Sequence, residues 1–224
     1  MKRLKAALFD LDGVVFDTEP QYTVFWGRQF QEFYPGSSSL EHAIKGQTLV
    51  QIFDRYFGGE LAAKRALISR RLKEYERQMH FDYIQGFPRF MEALRTQGIK
   101  TALVTSSDQG KMEIVYKQRP ELRSLYDAIL TAEDFEKSKP DPDCYLKAAA
   151  RLGAVPSQCI VLEDSYNGLR AGRAAQMRVV GFATTNPRES VAPLADVVVD
   201  DYEDLSLEIC EWLLSSNDQE SIQQ

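Results

Sequence analysis

Histidine and cysteine are both scarce in this 224-residue chain, which has two of the first and three of the second. Cys144, Cys159 and Cys210 make no C-x-x-C pair and no metal-ligand spacing, and their odd number closes no disulfide framework. Cys159 lies in the apolar run Cys159-Ile160-Val161-Leu162, which predicts a buried, reduced thiol suited to a reducing cytoplasm. Long hydrophobic runs are missing too. No segment approaches the roughly 18–20 apolar residues of a membrane span. The apolar stretch behind the basic N-terminal residues stops at Asp10, short of the roughly 7–15 residues of a signal-peptide core. A positive excess is also absent, since the net charge is −6. That argues against a nucleic-acid surface, which needs a basic face. The expectation is a soluble, cytoplasmic protein with neither nucleic acid nor membrane as partner. Small anionic substrates stay open, because a metal ion and one or two lysines reverse the sign locally.

What the chain does have is alternation. Short apolar runs at Lys5–Phe9, Thr101–Val104, Ala128–Leu130, Cys159–Leu162, Val179–Phe182 and Val197–Val199 read as strands buried on both faces. Helical patterns lie between them at Pro88–Gln97, Lys111–Gln118, Asp143–Leu152 and Asn167–Ala175. Strand and helix in turn predict an α/β fold, a doubly wound, Rossmann-like, mostly parallel sheet. The stretch from about Thr18 to Gln85 breaks the pattern. It reads as helix over Gln21–Phe33, over Leu40–Phe57 with an interruption near Gly46, and over Glu60–Met79, with Ile52, Tyr56, Phe57, Ala63, Leu67 and Tyr75 at helical spacing. That is too long for an ordinary crossover. The expected organisation is a core of residues 1–17 and 86–215, a helical cap subdomain over 18–85, and a polar, disordered tail over 216–224.

Three of the strands end in polar groups: Asp10-Leu11-Asp12-Gly13, Thr105-Ser106-Ser107-Asp108 and Glu163-Asp164-Ser165. In an open α/β sheet ligands bind beyond the carboxyl ends of the strands, so these groups are expected at one edge. Taken alone, Asp-x-Asp-Gly is an ordinary turn. Following a buried strand, and joined by Asp164 from another, the carboxylates make an oxygen-rich site of the kind Mg²⁺ uses. Lys139, in Lys137-Ser138-Lys139-Pro140-Asp141-Pro142-Asp143, reads alone as a solvated lysine in a turn. Beside three acidic strand ends it becomes a cation able to neutralise a phosphate.

In this order the motifs resemble the haloacid dehalogenase-like superfamily, in its β-phosphoglucomutase-like branch with a small helical cap. The resemblance runs from about Leu4 to Leu205. It rests on Phe9-Asp10-Leu11-Asp12-Gly13-Val14-Val15-Phe16-Asp17-Thr18-Glu19, Ala102-Leu103-Val104-Thr105-Ser106-Ser107, Ser138-Lys139-Pro140-Asp141-Pro142-Asp143 and Val161-Leu162-Glu163-Asp164-Ser165-Tyr166-Asn167-Gly168. It implies that Asp10 attacks phosphorus and becomes an aspartyl phosphate, while Asp12 protonates the leaving oxygen and then takes the acceptor's proton. Thr105 and the amide of Ser106 would hold phosphoryl oxygens, and Lys139 would balance charge. Mg²⁺ would bind Asp10, Asp164 and the backbone carbonyl of Asp12, with Glu163 as a weaker ligand or a group behind the ligands. Asp12 argues against dehalogenation, since a halide leaves without a proton.

The resemblance implies a phosphatase acting on a small phosphorylated metabolite such as a sugar phosphate, with a sugar phosphomutase as the alternative. Mutases of this branch carry a histidine where this chain has Tyr22, and an arginine after the cap glycine where it has Gln47. Lys45, beside Gly46, matches a mutase loop lysine that faces substrate, and reads equally well as a solvated lysine. His42 reads as a surface residue or a second group at the same opening, and Trp26 and Phe30 as cap core. A signalling receiver domain has the wrong strand order and no such insertion. A non-catalytic phosphometabolite-binding protein is the remaining outsider. A monomer or weak homodimer is expected.

Overall fold

Each of the six apolar runs forms a strand in the computed structural model, which describes residues 3–45 and 47–215. The strands are β1 (Ala6–Phe9), β2 (Lys100–Val104), β3 (Ala128–Leu130), β4 (Cys159–Glu163), β5 (Arg178–Phe182) and β6 (Val197–Val199). All neighbours are parallel, in the order β3-β2-β1-β4-β5-β6. Along β1, Ala7 and Phe9 enter one hydrophobic cluster with Leu103, Leu162 and Val180, while Ala6 and Leu8 enter a second with Val104, Val161 and Val179. Both sheet faces are covered, which is why the strands read as unbroken apolar runs instead of alternating ones.

The helices are α1 (Glu19–Phe33), α2 (Leu40–Ala43), α3 (Leu49–Tyr56), α4 (Arg65–Glu76), α5 (Phe87–Thr96), α6 (Gln109–Gln118), α7 (Leu122–Leu125), α8 (Asp143–Arg151), α9 (Tyr166–Ala174), α10 (Arg188–Val191) and α11 (Leu207–Ser215). From α5, Phe87, Phe90, Met91 and Leu94 pack into the first cluster; from α8, Cys144, Tyr145, Ala148 and Ala149 pack into the second. Helix α11, which strand-and-helix alternation had not marked, adds Cys210, Leu213 and Leu214 to the first. Among the described residues no helix is long and apolar enough to cross a membrane.

Helices α1 to α4 lie between β1 and β2 and surround a third cluster containing Phe25, Trp26, Phe30, Ile52, Phe57, Ile68 and Leu72. The phase expected beyond Glu60 is corrected here. Residues Gly59–Lys64 form a 3₁₀ segment, and the buried positions of α4 are Ile68, Leu72 and Glu76, while Ala63 is exposed. A 3₁₀ turn advances three residues instead of 3.6, which shifts the apolar stripe relative to a continuous α-helix. The interruption expected near Gly46 separates α2 from α3; Gly46 itself, like the tail over 216–224, lies outside the described residues.

The leaving and returning connections run side by side, with the Asp17 amide donating to the Asp82 carbonyl at 2.9 Å and the Ile84 amide to Val15 at 3.0 Å. After β3 the chain crosses back over β1 to form β4, so the strand order reverses beside β1. A crevice opens there, outside the carboxyl ends of the strands. Phe9 stands opposite both Leu103 and Leu162, which sets Asp10 level with the ends of β2 and β4.

Candidate active site

Asp10 is the first residue past β1, and its amide donates to the Leu162 carbonyl at 3.0 Å. Its Oδ1 accepts from Lys139 Nζ at 2.6 Å. The same ammonium donates to Glu163 Oε1 at 2.6 Å and to the Val104 carbonyl at 3.1 Å, so its three protons are all placed. Lys139 is 2% exposed. Burial alone would lower its pKa, but the carboxylates of Asp10 and Glu163 outweigh that and hold it well above the usual lysine value. The bland reading of Lys139 as a solvated turn residue is thereby excluded.

Glu163 and Asp164 are neighbours with different surroundings. Glu163 has no exposed surface. Its Oε1 accepts from Lys139 and from the Tyr145 hydroxyl at 2.9 Å; its Oε2 accepts from the amides of Asp164 (3.1 Å) and Ser165 (3.0 Å) and from the Ser165 hydroxyl (3.0 Å). Asp164 lines the central cavity and Glu163 does not. One Asp164 oxygen accepts from the Thr185 hydroxyl, and Asn186 donates to its backbone carbonyl at 3.0 Å. Two glycines make room for the pair. A methyl at Gly13 (φ +73°) would overlap the Asp164 carboxylate, and one at Gly168 would overlap that of Glu163.

The cavity, of about 310 Å³, is lined by Asp10, Asp12, Thr105, Ser106, Lys139 and Asp164 on the core side and by Glu19, Tyr22, Lys45 and Glu76 on the insert side. Thr105 is buried, and its hydroxyl accepts from the Ser107 amide at 3.0 Å, which leaves its proton free to be donated. Asp108 caps α6 by accepting from the Lys111 amide at 2.7 Å. Asp12 Oδ1 accepts from Thr18 at 2.5 Å; its Oδ2 accepts from Lys111 and, more distantly, from Ser107 at 3.5 Å. On the insert, Lys45 pairs with Glu19 at 3.3 Å, and the Tyr22 hydroxyl donates to Glu76 at 3.1 Å. Lys45 therefore faces the cavity but is not a free cation. His42 is not part of the lining; its side chain is 60% exposed.

A divalent ion fits this donor set. Asp10, Glu163 and Asp164 each offer an oxygen, and the three atoms lie within 4.8 Å of one another. Because both Glu163 oxygens are already saturated, Asp10 and Asp164 are the members of that group with capacity toward the cavity. Burial, with Glu163 and Asp12 adding and Lys139 opposing, raises the Asp10 pKa to about 7. Burial, then the charges of Glu163, Glu19 and Asp10, raises that of Asp164 well above the carboxylate range. Carboxylates held this way lack positive charge, and an all-oxygen set suits Mg²⁺.

Sequence reading had missed Lys111, Glu76, Tyr145 and Thr185. Tyr145 and Glu76 sit at helical core spacing, and Thr185 follows a strand end without a motif. Lys111 did carry a signal: it occupies the first turn of a helix, where the dipole disfavours a cation.

Residues 7–182 match the family model described as haloacid dehalogenase-like hydrolase. The chain is similar to the β-phosphoglucomutase of Bacillus subtilis (strain 168), with 30% identity over 223 residues, spanning 93% of this chain and 96% of that protein. It is similar to the validoxylamine A 7'-phosphate phosphatase of Streptomyces hygroscopicus subsp. limoneus, with 30% identity over 205 residues, 88% of this chain and 93% of that one. A crystal structure of a HAD hydrolase, family IA, variant 3, from Entamoeba histolytica superposes with a TM-score of 0.82 at 23% identity, covering 95% of this chain and all of that one, a likeness of fold.

Proposed function

The chain belongs to the haloacid dehalogenase-like hydrolase family, and on that premise we propose that it is a Mg²⁺-dependent phosphatase of small phosphorylated metabolites, sugar phosphates among them, working through an aspartyl phosphate on Asp10. The observation that carries this reading is the convergence of Asp10, Asp12, Thr105, Lys139 and Asp164 on one cavity at the strand ends. In the first step an Asp10 oxygen attacks phosphorus in line with the ester, the bond from phosphorus to the ester oxygen breaks, and Asp12 gives its proton to that oxygen. In the second, a water attacks phosphorus, its proton passes to Asp12, and Asp10 is released with inorganic phosphate. Thr105 and the amide of Ser106 hold the phosphoryl oxygens throughout, and Lys139 offsets their charge. Mg²⁺, held by Asp10, Asp164 and the Asp12 carbonyl, would supply further neutralisation of those oxygens. Helices α1 to α4 act as a cap over the reacting groups, excluding bulk water.

The likeness to a validoxylamine A 7'-phosphate phosphatase supports hydrolysis. Tyr22 also favours hydrolysis, since its hydroxyl is committed to Glu76 and it offers no imidazole. The second reading, a sugar phosphomutase using the same intermediate, is supported by the likeness to a β-phosphoglucomutase along nearly the full length. A cytoplasmic setting suits the three free, buried cysteines.

The test is a panel of hexose, pentose and hexitol phosphates with Mg²⁺, scoring inorganic phosphate and isomerised sugar phosphate separately. Release of phosphate without isomer is expected. Asp10→Asn should reduce turnover to background, a loss of at least about 10³-fold for removal of a nucleophile. Turnover that survives this substitution, or a panel without any substrate, would overturn the reading.

A further inference from the structure

Lys111 is placed against every local preference. It stands in the first turn of α6, at the helix end that repels cations, and its side chain is 8% exposed. A buried ammonium is tolerated when anions surround it. Its Nζ donates to Asp12 Oδ2 and lies 4.7 Å from the centroid of the Tyr22 ring. Tyr22 in turn donates to Glu76, a buried carboxylate whose pKa is raised by burial and pulled back chiefly by the charge of Lys111. Lys139 has no part in this: its three protons go to Asp10, Glu163 and Val104. Asp10 and Asp12 thus each have an ammonium of their own.

We propose that Lys111 is the positioning residue of Asp12, holding its carboxylate in the orientation from which a proton reaches the ester oxygen, and that Tyr22 and Glu76 of the insert hold Lys111 in turn. This rests on the phosphatase reading above. Thr18 fixes one Asp12 oxygen at 2.5 Å, while the Ser107 hydroxyl, at 3.5 Å, holds the other only weakly. Lys111 fixes the other oxygen. The Tyr22 ring of α1 and the Glu76 carboxylate of α4 tie the orientation of the acid to those two helices. The ammonium that donates to Asp10 is Lys139, while Lys111 donates to Asp12, so removal of Lys111 should spare phosphorus attack and penalise proton delivery.

The experiment compares kcat/KM, which reports the steps through formation of the aspartyl phosphate, for two donors. One is acetyl phosphate, whose carboxylate leaves without a proton; the other is the sugar phosphate that the unmodified chain turns over fastest. Lys111→Met should lower kcat/KM for the sugar phosphate by about 100-fold, the lower scale of general acid catalysis, and that for acetyl phosphate far less. Lys111→Arg, which keeps the donor, should recover part of the loss, which a merely structural lysine would not require. Equal slowing of both donors by a folded Lys111→Met variant, or no slowing of either, would overturn the assignment while leaving the phosphatase reading intact. If the unmodified chain hydrolyses neither donor, the phosphatase reading fails and this one with it.

Discussion

Glu163 illustrates how a carboxylate can belong to an active site without facing it. Five donors close on its two oxygens, two of them backbone amides that cannot move away. Its partner Lys139 is equally enclosed, and through Lys139 it fixes the side of Asp10 from which the charge is neutralised. A buried pair of this kind contributes little net stability, yet removing Glu163 leaves Lys139 with one carboxylate instead of two and leaves the surrounding donors without their acceptor. Glu163→Gln presents an amide nitrogen to a ring of donors in either orientation. It should destabilise the fold by about 3–5 kcal/mol in urea titration. Tyr145→Phe, which deletes one of the five donors, should cost about 1–3 kcal/mol. A Glu163→Gln variant as stable as the parent would show that the pair is not the anchor described. Strand-end placement alone marked Glu163 and Asp164 as a pair of acids, and only the family resemblance set Glu163 apart as a weaker ligand or a group behind the ligands. Successive strand residues point to opposite sides, so which one faces the cavity depends on the register of β4 against β1, a long-range property.

Elements meet at this site through two glycines. Gly13 belongs to the turn after β1 and Gly168 to the first turn of α9, and each leaves the space that a β4 acid fills. Replacing a helical glycine with alanine ordinarily stabilises by about 0.5–1 kcal/mol. At Gly168 the sign should reverse, because the methyl overlaps Glu163, and overpacking costs about 1–3 kcal/mol. Activity should fall with it, as Glu163 carries Lys139. A gain in melting temperature with full activity for Gly168→Ala would contradict the packing described. Both glycines stood inside quoted motifs, so the elements that bear chemistry were legible: all six strands, the order of the polar tips and the helices after them. What was not legible is what depends on phase across a break. The 3₁₀ segment Gly59–Lys64 reset the stripe of α4, bringing Glu76 instead of an apolar residue to the cavity. Lys111 was passed over for a related reason: its partner Asp12 is 99 positions away in the chain.

For the molecule as a whole, charge around the cavity is unbalanced in a way that pH and metal should expose. Burial foremost raises the pKa of Asp10 to about 7 and lifts Asp164, Glu19 and Glu76 above their ordinary values. For each of these the native state holds its proton more tightly than the unfolded chain does. Below the unfolded values both states are protonated and the difference vanishes; as pH rises past them the unfolded chain ionises first, so stability falls. For Asp10 the fall runs from the ordinary value of 3.8 to about 7, above which its share is constant. Carboxyls held low elsewhere, such as Asp127, Asp134 and Asp143, act oppositely. Their contribution is already complete above the ordinary value of 3.8 and adds no slope beyond it. In a chelating buffer the melting temperature should therefore drop between about pH 5 and pH 7.5. Mg²⁺ competes with protons for the same oxygens, so it should raise the melting temperature more at the higher pH and release protons on binding, both measurable without any substrate. At a hundredfold excess over its Kd the stabilisation amounts to about 2.7 kcal/mol. Asp164→Asn should remove most of that shift. A Mg²⁺ effect of equal size at both pH values, or one that persists in Asp164→Asn, would mean that the ion is held somewhere other than beside Asp10 and Asp164.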